Sequence, residues 1–164
     1  PVGAFGGKQE IMQMYDPREK KMYHSGTING NAVTMTAGLA TMKAYNQEAV
    51  DYVNDLGVLF KEGVLKIYEK LGLNMKISGA GSIYNILFTD KDVKNYRDVA
   101  SAHEELNKVL YMSLLTKGVF DAERGMFCMS TAMTKEDIRF GLDTLETSLR
   151  EMLPAIAEEA PELI

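Results

Sequence analysis

The sequence has a single cysteine, Cys128, among its 164 residues. One thiol leaves no partner for an intramolecular disulfide and too few ligands for a cysteine-built zinc site, so neither can hold the fold together. The reducing cytosol is the simplest compartment for such a chain, and the expected location is cytoplasmic. Basic residues are also in the minority, 18 against 23 acidic, for a net charge of −5 and a pI near 5.1. Nucleic-acid partners are usually met by a basic patch, so none is expected here. Apolar runs stop after a few residues, as at Ile86–Leu87–Phe88. A membrane span needs roughly 20 apolar residues, so no membrane partner is expected. The opening residues show no basic flank followed by an apolar run, the pattern of a secretory signal. HExxH, CxxC, the P-loop and the GxSxG elbow are all missing, and no metal site is expected.

What is present is the composition of a globular protein, 46% hydrophobic and 25% charged, long enough for one ordinary domain. The opening, Pro1-Val2-Gly3-Ala4-Phe5-Gly6-Gly7, begins inside a glycine-rich turn without a methionine. It reads as a piece of a longer protein, so an N-terminal part of the parent chain is an expected partner. One helical turn is expected over 11–15, punctuated by Asp16-Pro17. Asn31 predicts the N-cap of a helix over 32–45 with Met35, Leu39 and Met42 on one stripe. A second helix, over 47–71, carries Val50, Val53, Leu56, Phe60, Val64, Ile67 and Leu71 at steps of three and four, with Gly72 as its stop.

Beyond Gly72 the period changes to two. Residues 75–77 and 83–88 predict a strand pair. A long helix over 95–116 is expected next, then short extended pieces at 119–120 and 126–129. A last helix over 135–152 starts at Thr134 with Asp137 three residues on, an acidic relative of the capping box. Pro154 is expected to end it, leaving 155–164 as a loose acidic tail. The fold class is therefore α+β, a small antiparallel sheet covered on one side by helices.

Chemically useful residues are sparse. His103 falls mid-helix and reads as structural, and His24 flanks the loop His24-Ser25-Gly26-Thr27-Ile28-Asn29-Gly30-Asn31. Cys128 sits in an apolar strand context and reads as an inert small hydrophobe. The eleven methionines read as core packing. In the loop, the N–H groups of Gly26 and Thr27 and the Thr27 hydroxyl are donors just ahead of a helix start, a combination that suits a phosphate.

Several blocks, in order, resemble the class III pyridoxal-phosphate-dependent aminotransferases, in the branch of the glutamate-1-semialdehyde aminomutases and related amino-acid aminotransferases. They are Pro1–Gly7; Gly26-Thr27 with Gly30-Asn31; Met35–Ala40; Gly81–Asp90; Tyr96 with Asp98-Val99; Lys117–Phe120; and Ser130–Ala132 with Thr134 and Glu136–Ile138. The resemblance runs from residue 1 to about 153. It implies the C-terminal part of a fold-type I transferase, with 1–45 as the incomplete tail of the large cofactor-binding domain and 46–164 as the C-terminal small domain. It implies pyridoxal 5'-phosphate as cofactor and an amino-acid substrate. It also implies a homodimer with a composite active site, in which Gly26 and Thr27 reach the partner's cofactor phosphate.

The family's Schiff-base lysine precedes the glycine-rich opening, so no lysine here matches it. Lys8 lies on the wrong side of those glycines, and no catalytic residue is assigned in this chain. The resemblance further implies that Arg124 pairs with a substrate carboxylate, as in relatives acting on β-amino or aryl amino acids; the alternative for Arg124 is a surface ion pair with Glu123 or another acid. Two positions depart from the aminomutase pattern. Gly125 stands where that branch has a glutamate, and Met133 where it has a histidine. The expected function is amino transfer between an amino acid and an oxo acid. The alternatives are the aminomutase, which moves the amino group within one molecule, and a non-catalytic fragment.

Overall fold

The computed structural model describes residues 2–19 and 21–164. They divide into two compact units, one ending at Gln47 and the other running from Glu48 to Ile164.

The first unit carries a short helix α1 (Gln9–Met12), a 3-10 turn (Gln13–Tyr15) and a helix α2 (Ala32–Ala44). Asn31 caps α2 as its sequence position predicts: its side-chain oxygen accepts from the N–H groups of Val33 and Thr34, both at 3.1 Å. The apolar stripe of α2 is not covered within the unit. Met35, Leu39 and Met42 are exposed and only Gly38 is buried. Gly38 lies so close to Val2 that a Cβ there would fall 3.4 Å from the Val2 Cβ. Core packing thus accounts for Met75 and Met152 but not for Met22, Met35, Met42 or Met112, which are exposed.

From Glu48 onward the long helix α3 (Gln47–Leu71) belongs to the second unit; it is stopped by Gly72 at φ 71°, a left-handed position that favours glycine. Strands β1 (Lys76–Ala80) and β2 (Ile83–Leu87) then form an antiparallel hairpin across Gly81-Ser82, with Ala80 opposite Ile83. After helices α4 (Tyr96–Val99) and α5 (Glu104–Thr116), strand β3 (Met126–Cys128) returns to pair antiparallel with β2, Phe127 opposite Tyr84. Helix α6 (Lys135–Glu159) completes the unit with a final 3-10 turn, Pro161–Leu163. The core joins the apolar face of α3 (Leu56, Phe60, Val64) to Tyr84 and Ile86 of β2, Leu110 and Leu114 of α5, and Leu145 and Leu149 of α6. This is the α+β arrangement that the change of period in the sequence implies.

Three local expectations fail for identifiable reasons. The helix expected over 95–116 is broken. Asn95 and Asp98 form a capping box that starts α4, and the His103 N–H bonds the Phe88 carbonyl at 3.0 Å, so the chain is pinned to the strand end before α5 begins. His103 is accordingly the residue ahead of α5, not mid-helix, and its ring lies 2.7 Å from Glu162. No strand forms at 119–120; Phe120 is exposed, and the chain makes only a bridge between Ala122 and Met126.

Nor does Pro154 end α6. A proline inside a helix removes one N–H donor and costs roughly 3 kcal/mol. Here the residues beyond it offset that cost: Ile156, Ala160 and Leu163 are fully buried, and the Asn74 N–H bonds the Leu163 carbonyl at 2.8 Å. The tail expected to be loose is part of the core.

The capping box at the start of α6 does form. The Thr134 hydroxyl accepts from the Asp137 N–H at 3.2 Å, and the Asp137 carboxylate accepts from the Thr134 N–H at 2.7 Å, which holds the Asp137 carboxyl below its usual range. Thr134→Ala is expected to cost about 1 kcal/mol of unfolding free energy, read from a urea midpoint shifted at unchanged slope.

Candidate functional site

In the first unit the loop ahead of α2 is two successive turns. The Asn29 N–H bonds the Gly26 carbonyl at 2.9 Å, and the Asn31 N–H bonds the Ile28 carbonyl at 3.1 Å. Gly26 and Thr27 are exposed. Among the described residues, their backbone N–H groups and the Thr27 hydroxyl donate to no protein acceptor. A Cβ on Gly26 would stand 2.9 Å from the Asn29 side-chain oxygen, the end of an exposed side chain that can turn aside. The end of α2 contributes less than its position suggests, because Asn31 already takes two of its free N–H groups. A cavity of about 350 Å³ is lined by His24, Ile28, Asn29 and Gly30 of the same loop; Gly26 and Thr27 are not on its wall. His24 lies edge-on to Phe5 and Tyr15, with centroids at 5.2 and 5.8 Å, a packing contact that positions its ring beside the loop.

Arg124 belongs to the second unit, in the turn that the Ala122–Met126 bridge closes ahead of β3. It is exposed on the wall of a cavity of about 420 Å³ that also takes in Lys108, Glu104, Glu123 and Asn107. The Lys108 ammonium is spent on Glu105 at 2.9 Å and Glu104 at 3.4 Å, which raises its pKa. Among the described residues Arg124 forms no ion pair, so the Glu123 pairing considered for it is not made. Its guanidinium keeps five donors in a fork suited to a carboxylate. The next residue, Gly125, has φ 75°, and a Cβ there would lie 2.7 Å from the Ile86 carbonyl oxygen and 2.9 Å from the Asn107 side-chain oxygen. A glutamate at this position, as in the aminomutase pattern, would not fit this backbone.

A third cavity, of about 480 Å³, carries a residue that motif reading passed over. Asp121 borders it, but both its carboxylate oxygens are sealed from solvent and lack a hydrogen-bond partner from any other described residue. Burial pushes its pKa up from 3.8 to about 6. The one sequence cue is an acid directly after the apolar Val119-Phe120. Cys128 lines the same cavity and is exposed.

Among the described residues no three His, Cys, Asp or Glu side chains are grouped to hold a metal. No helix is long and apolar enough to cross a membrane among those residues.

No protein-family model matches the chain. Glutamate-1-semialdehyde 2,1-aminomutase 2 of Staphylococcus haemolyticus is 33% identical over 156 residues, 93% of this chain and 36% of its own length. The β-phenylalanine transaminase of Variovorax paradoxus is 33% identical over 137 residues, 83% of this chain and 32% of its own. The crystal structure of a β-phenylalanine aminotransferase from the same organism superposes with a TM-score of 0.80 over 90% of this chain and 34% of that one. A transaminase with PLP bound superposes with a TM-score of 0.77 at 25% identity, over 91% of this chain and 34% of that one. The chain thus spans about a third of the length of the curated relatives it matches.

Proposed function

Because this chain belongs with the pyridoxal-phosphate-dependent aminotransferases and glutamate-1-semialdehyde aminomutases, matching their C-terminal portion, we propose that it forms the C-terminal part of an aminotransferase moving an amino group between an amino acid and an oxo acid. The observation that carries this reading is the likeness in sequence and in fold over four-fifths or more of the chain to a single kind of enzyme, a β-phenylalanine aminotransferase. In this reading residues 1–45 close the large domain, residues 46–164 form the small domain, and the protein is a cytoplasmic homodimer.

The cofactor's ring would store the electrons released when the substrate's amino group is exchanged. The chain's own contribution is to hold and orient. Gly26 and Thr27 present three donors with no internal acceptor, the set that an anionic phosphate of a neighbouring subunit's cofactor would take up through charge-assisted bonds. Arg124, a cation with no ion-pair partner on a cavity wall, would hold a substrate carboxylate by two parallel bonds. None of the lysines of this chain stands where the family's Schiff-base lysine stands, so the chain alone is proposed to be inactive. The aminomutase remains a second reading, favoured by the 33% identity over 93% of the chain. The backbone at Gly125 weighs against it.

The test is made on the intact parent protein. Thr27→Ala is expected to weaken cofactor binding roughly tenfold with the fold kept, since a hydrogen bond to a charged group contributes about 1.5 kcal/mol or more. Arg124→Ala is expected to raise KM for the amino acid more than it lowers kcat. An unchanged cofactor Kd removes the phosphate role. Failure of the intact protein to transfer an amino group from any α- or β-amino acid to an oxo acid overturns the aminotransferase reading. The 164-residue chain alone should give no borohydride-trappable lysine adduct with pyridoxal phosphate.

A further inference from the structure

We infer that the cavity between α3, β3 and the first turns of α6 is a binding site for an uncharged aromatic molecule, held by apolar contact alone. Neither the Gly26-Thr27 loop nor Arg124 takes part, so the site is independent of the aminotransferase reading.

The wall begins in the core. Phe60, Phe127 and Ile138 are buried, and Val119, Met129 and Met133 pack half-buried against the same cluster. The Phe60 and Phe127 rings lie against each other with centroids 4.8 Å apart. Aromatic rings and methionine thioethers pack well against a further ring, and methionine adapts to its outline. At the rim Phe120 is exposed. Replacing water against such a wall by hydrocarbon is favourable.

Gly141, in the interior of α6, adds room. A glycine there costs about 1 kcal/mol of helix stability relative to alanine. At Gly57 and Gly63 neighbouring atoms crowd the position of the missing Cβ, whereas at Gly141 nothing lies within 4 Å. Packing does not require this glycine. It lines the cavity, and a side chain placed here would enter unoccupied volume. The cavity, of about 480 Å³, falls within the range of small-molecule sites.

The charge of the ligand follows from the two acids at the border. Both Asp121 oxygens are sealed from solvent and cannot meet a bound molecule. The Asp137 carboxylate is taken up by the Thr134 N–H and hydroxyl, at 2.7 and 2.8 Å, in the α6 cap. Among the described residues no lysine, arginine or histidine lines the cavity. An ion entering it would lose hydration without gaining a partner, which selects a neutral molecule.

The experiment uses the 164-residue chain near pH 7.5, with 4-phenylbutanol as probe and 4-phenylbutanoate and 4-phenylbutylammonium as charged matches. Calorimetry is expected to show the alcohol binding about tenfold or more tighter than either ion. In methyl NMR the Met129 and Met133 signals are expected to shift and to show NOEs to the ring of the probe. Those of Met22 and Met42, exposed in the first unit, are expected to stay in place. Gly141→Leu, which fills the cavity from α6, is expected to weaken binding about tenfold or more. Absence of alcohol binding overturns the proposal, as does an ion bound equally tightly or a ring that contacts neither Met129 nor Met133. A folded Gly141→Leu chain that binds the alcohol unchanged does so too; if that variant does not fold, the two measurements on the unmodified chain decide the matter. Met129 and Met133 signals that move with chain concentration alone would give the cavity to a second copy and overturn the proposal.

Discussion

Replacing Gly57 by alanine is expected to cost about 3 kcal/mol of unfolding free energy, although alanine is the better helix former by about 1 kcal/mol. Gly57 lies in the interior of α3, where glycine is ordinarily a weakness. A Cβ added there would run into the Gly81 carbonyl oxygen and stand 3.0 Å from its carbon and 3.2 Å from the Ser82 Cα. All three atoms are backbone, in a turn fixed by Gly81 at φ 60°, so none can rotate aside. The helix would have to lift from the hairpin, loosening Leu56 and Phe60 from the core they share with Tyr84 and Ile86. Two other helical glycines supply the scale. At Gly63 the added atom would meet the branched end of Leu142, a side chain that can change rotamer, and a loss near 1 kcal/mol is expected. At Gly141 nothing lies within 4 Å, and alanine is expected to stabilise by up to about 1 kcal/mol. Urea unfolding of the three variants tests the order. A Gly57→Ala chain as stable as the Gly141→Ala chain would mean that α3 and the hairpin do not touch as described.

The same helix shows what the sequence can and cannot disclose. Its limits and buried face followed from spacing alone, because Val53, Leu56, Phe60, Val64 and Ile67 recur at helical steps and Gly72 stops the run. The β1–β2 hairpin followed likewise, from the change to a period of two around Gly81-Ser82. Periodicity reports that a face is apolar, not that something covers it, and the stripe of Met35, Leu39 and Met42 on α2 is exposed. Nor does it weigh a local penalty against a distant gain. Pro154 reads as a helix end unless Ile156, Ala160 and Leu163 are known to be buried. The break before α5 depended on a bond from His103 to Phe88, residues fifteen apart, which no local pattern encodes. For the candidate site, the Gly26-Thr27 loop and Arg124 were visible as residue types suited to anions. Asp121 was not, because an isolated acid looks the same whether it is solvated or sealed beneath apolar side chains.

That difference gives Asp121→Asn its expected effect. Burial raises the carboxyl from 3.8 to about 6, so between these values the folded protein holds a proton that the unfolded chain has released. Stability rises with pH where the unfolded state binds more protons; here the folded state binds more, so the contribution of this group falls as pH increases from about 4 to 6. Below about pH 4 the acid is neutral in both states and contributes nothing. Above about pH 6.5 the full penalty applies, roughly 2 to 3 kcal/mol from a shift of this size at 1.36 kcal/mol per unit. An asparagine cannot ionise. It leaves polar atoms unpartnered in the same place, a cost independent of pH. The quantity to measure is therefore the stability of Asp121→Asn minus that of the unmodified chain, at pH 3.5 and again at pH 7.5. This difference is expected to move by about 2 kcal/mol or more in favour of the variant on going to the higher pH, with most of the change between pH 4 and 6. The neighbouring acid on that cavity wall, Asp137, is shifted the opposite way by its cap bonds and is present in both proteins, so it cancels. A difference that stays flat across the range would show Asp121 to be solvated or paired in solution.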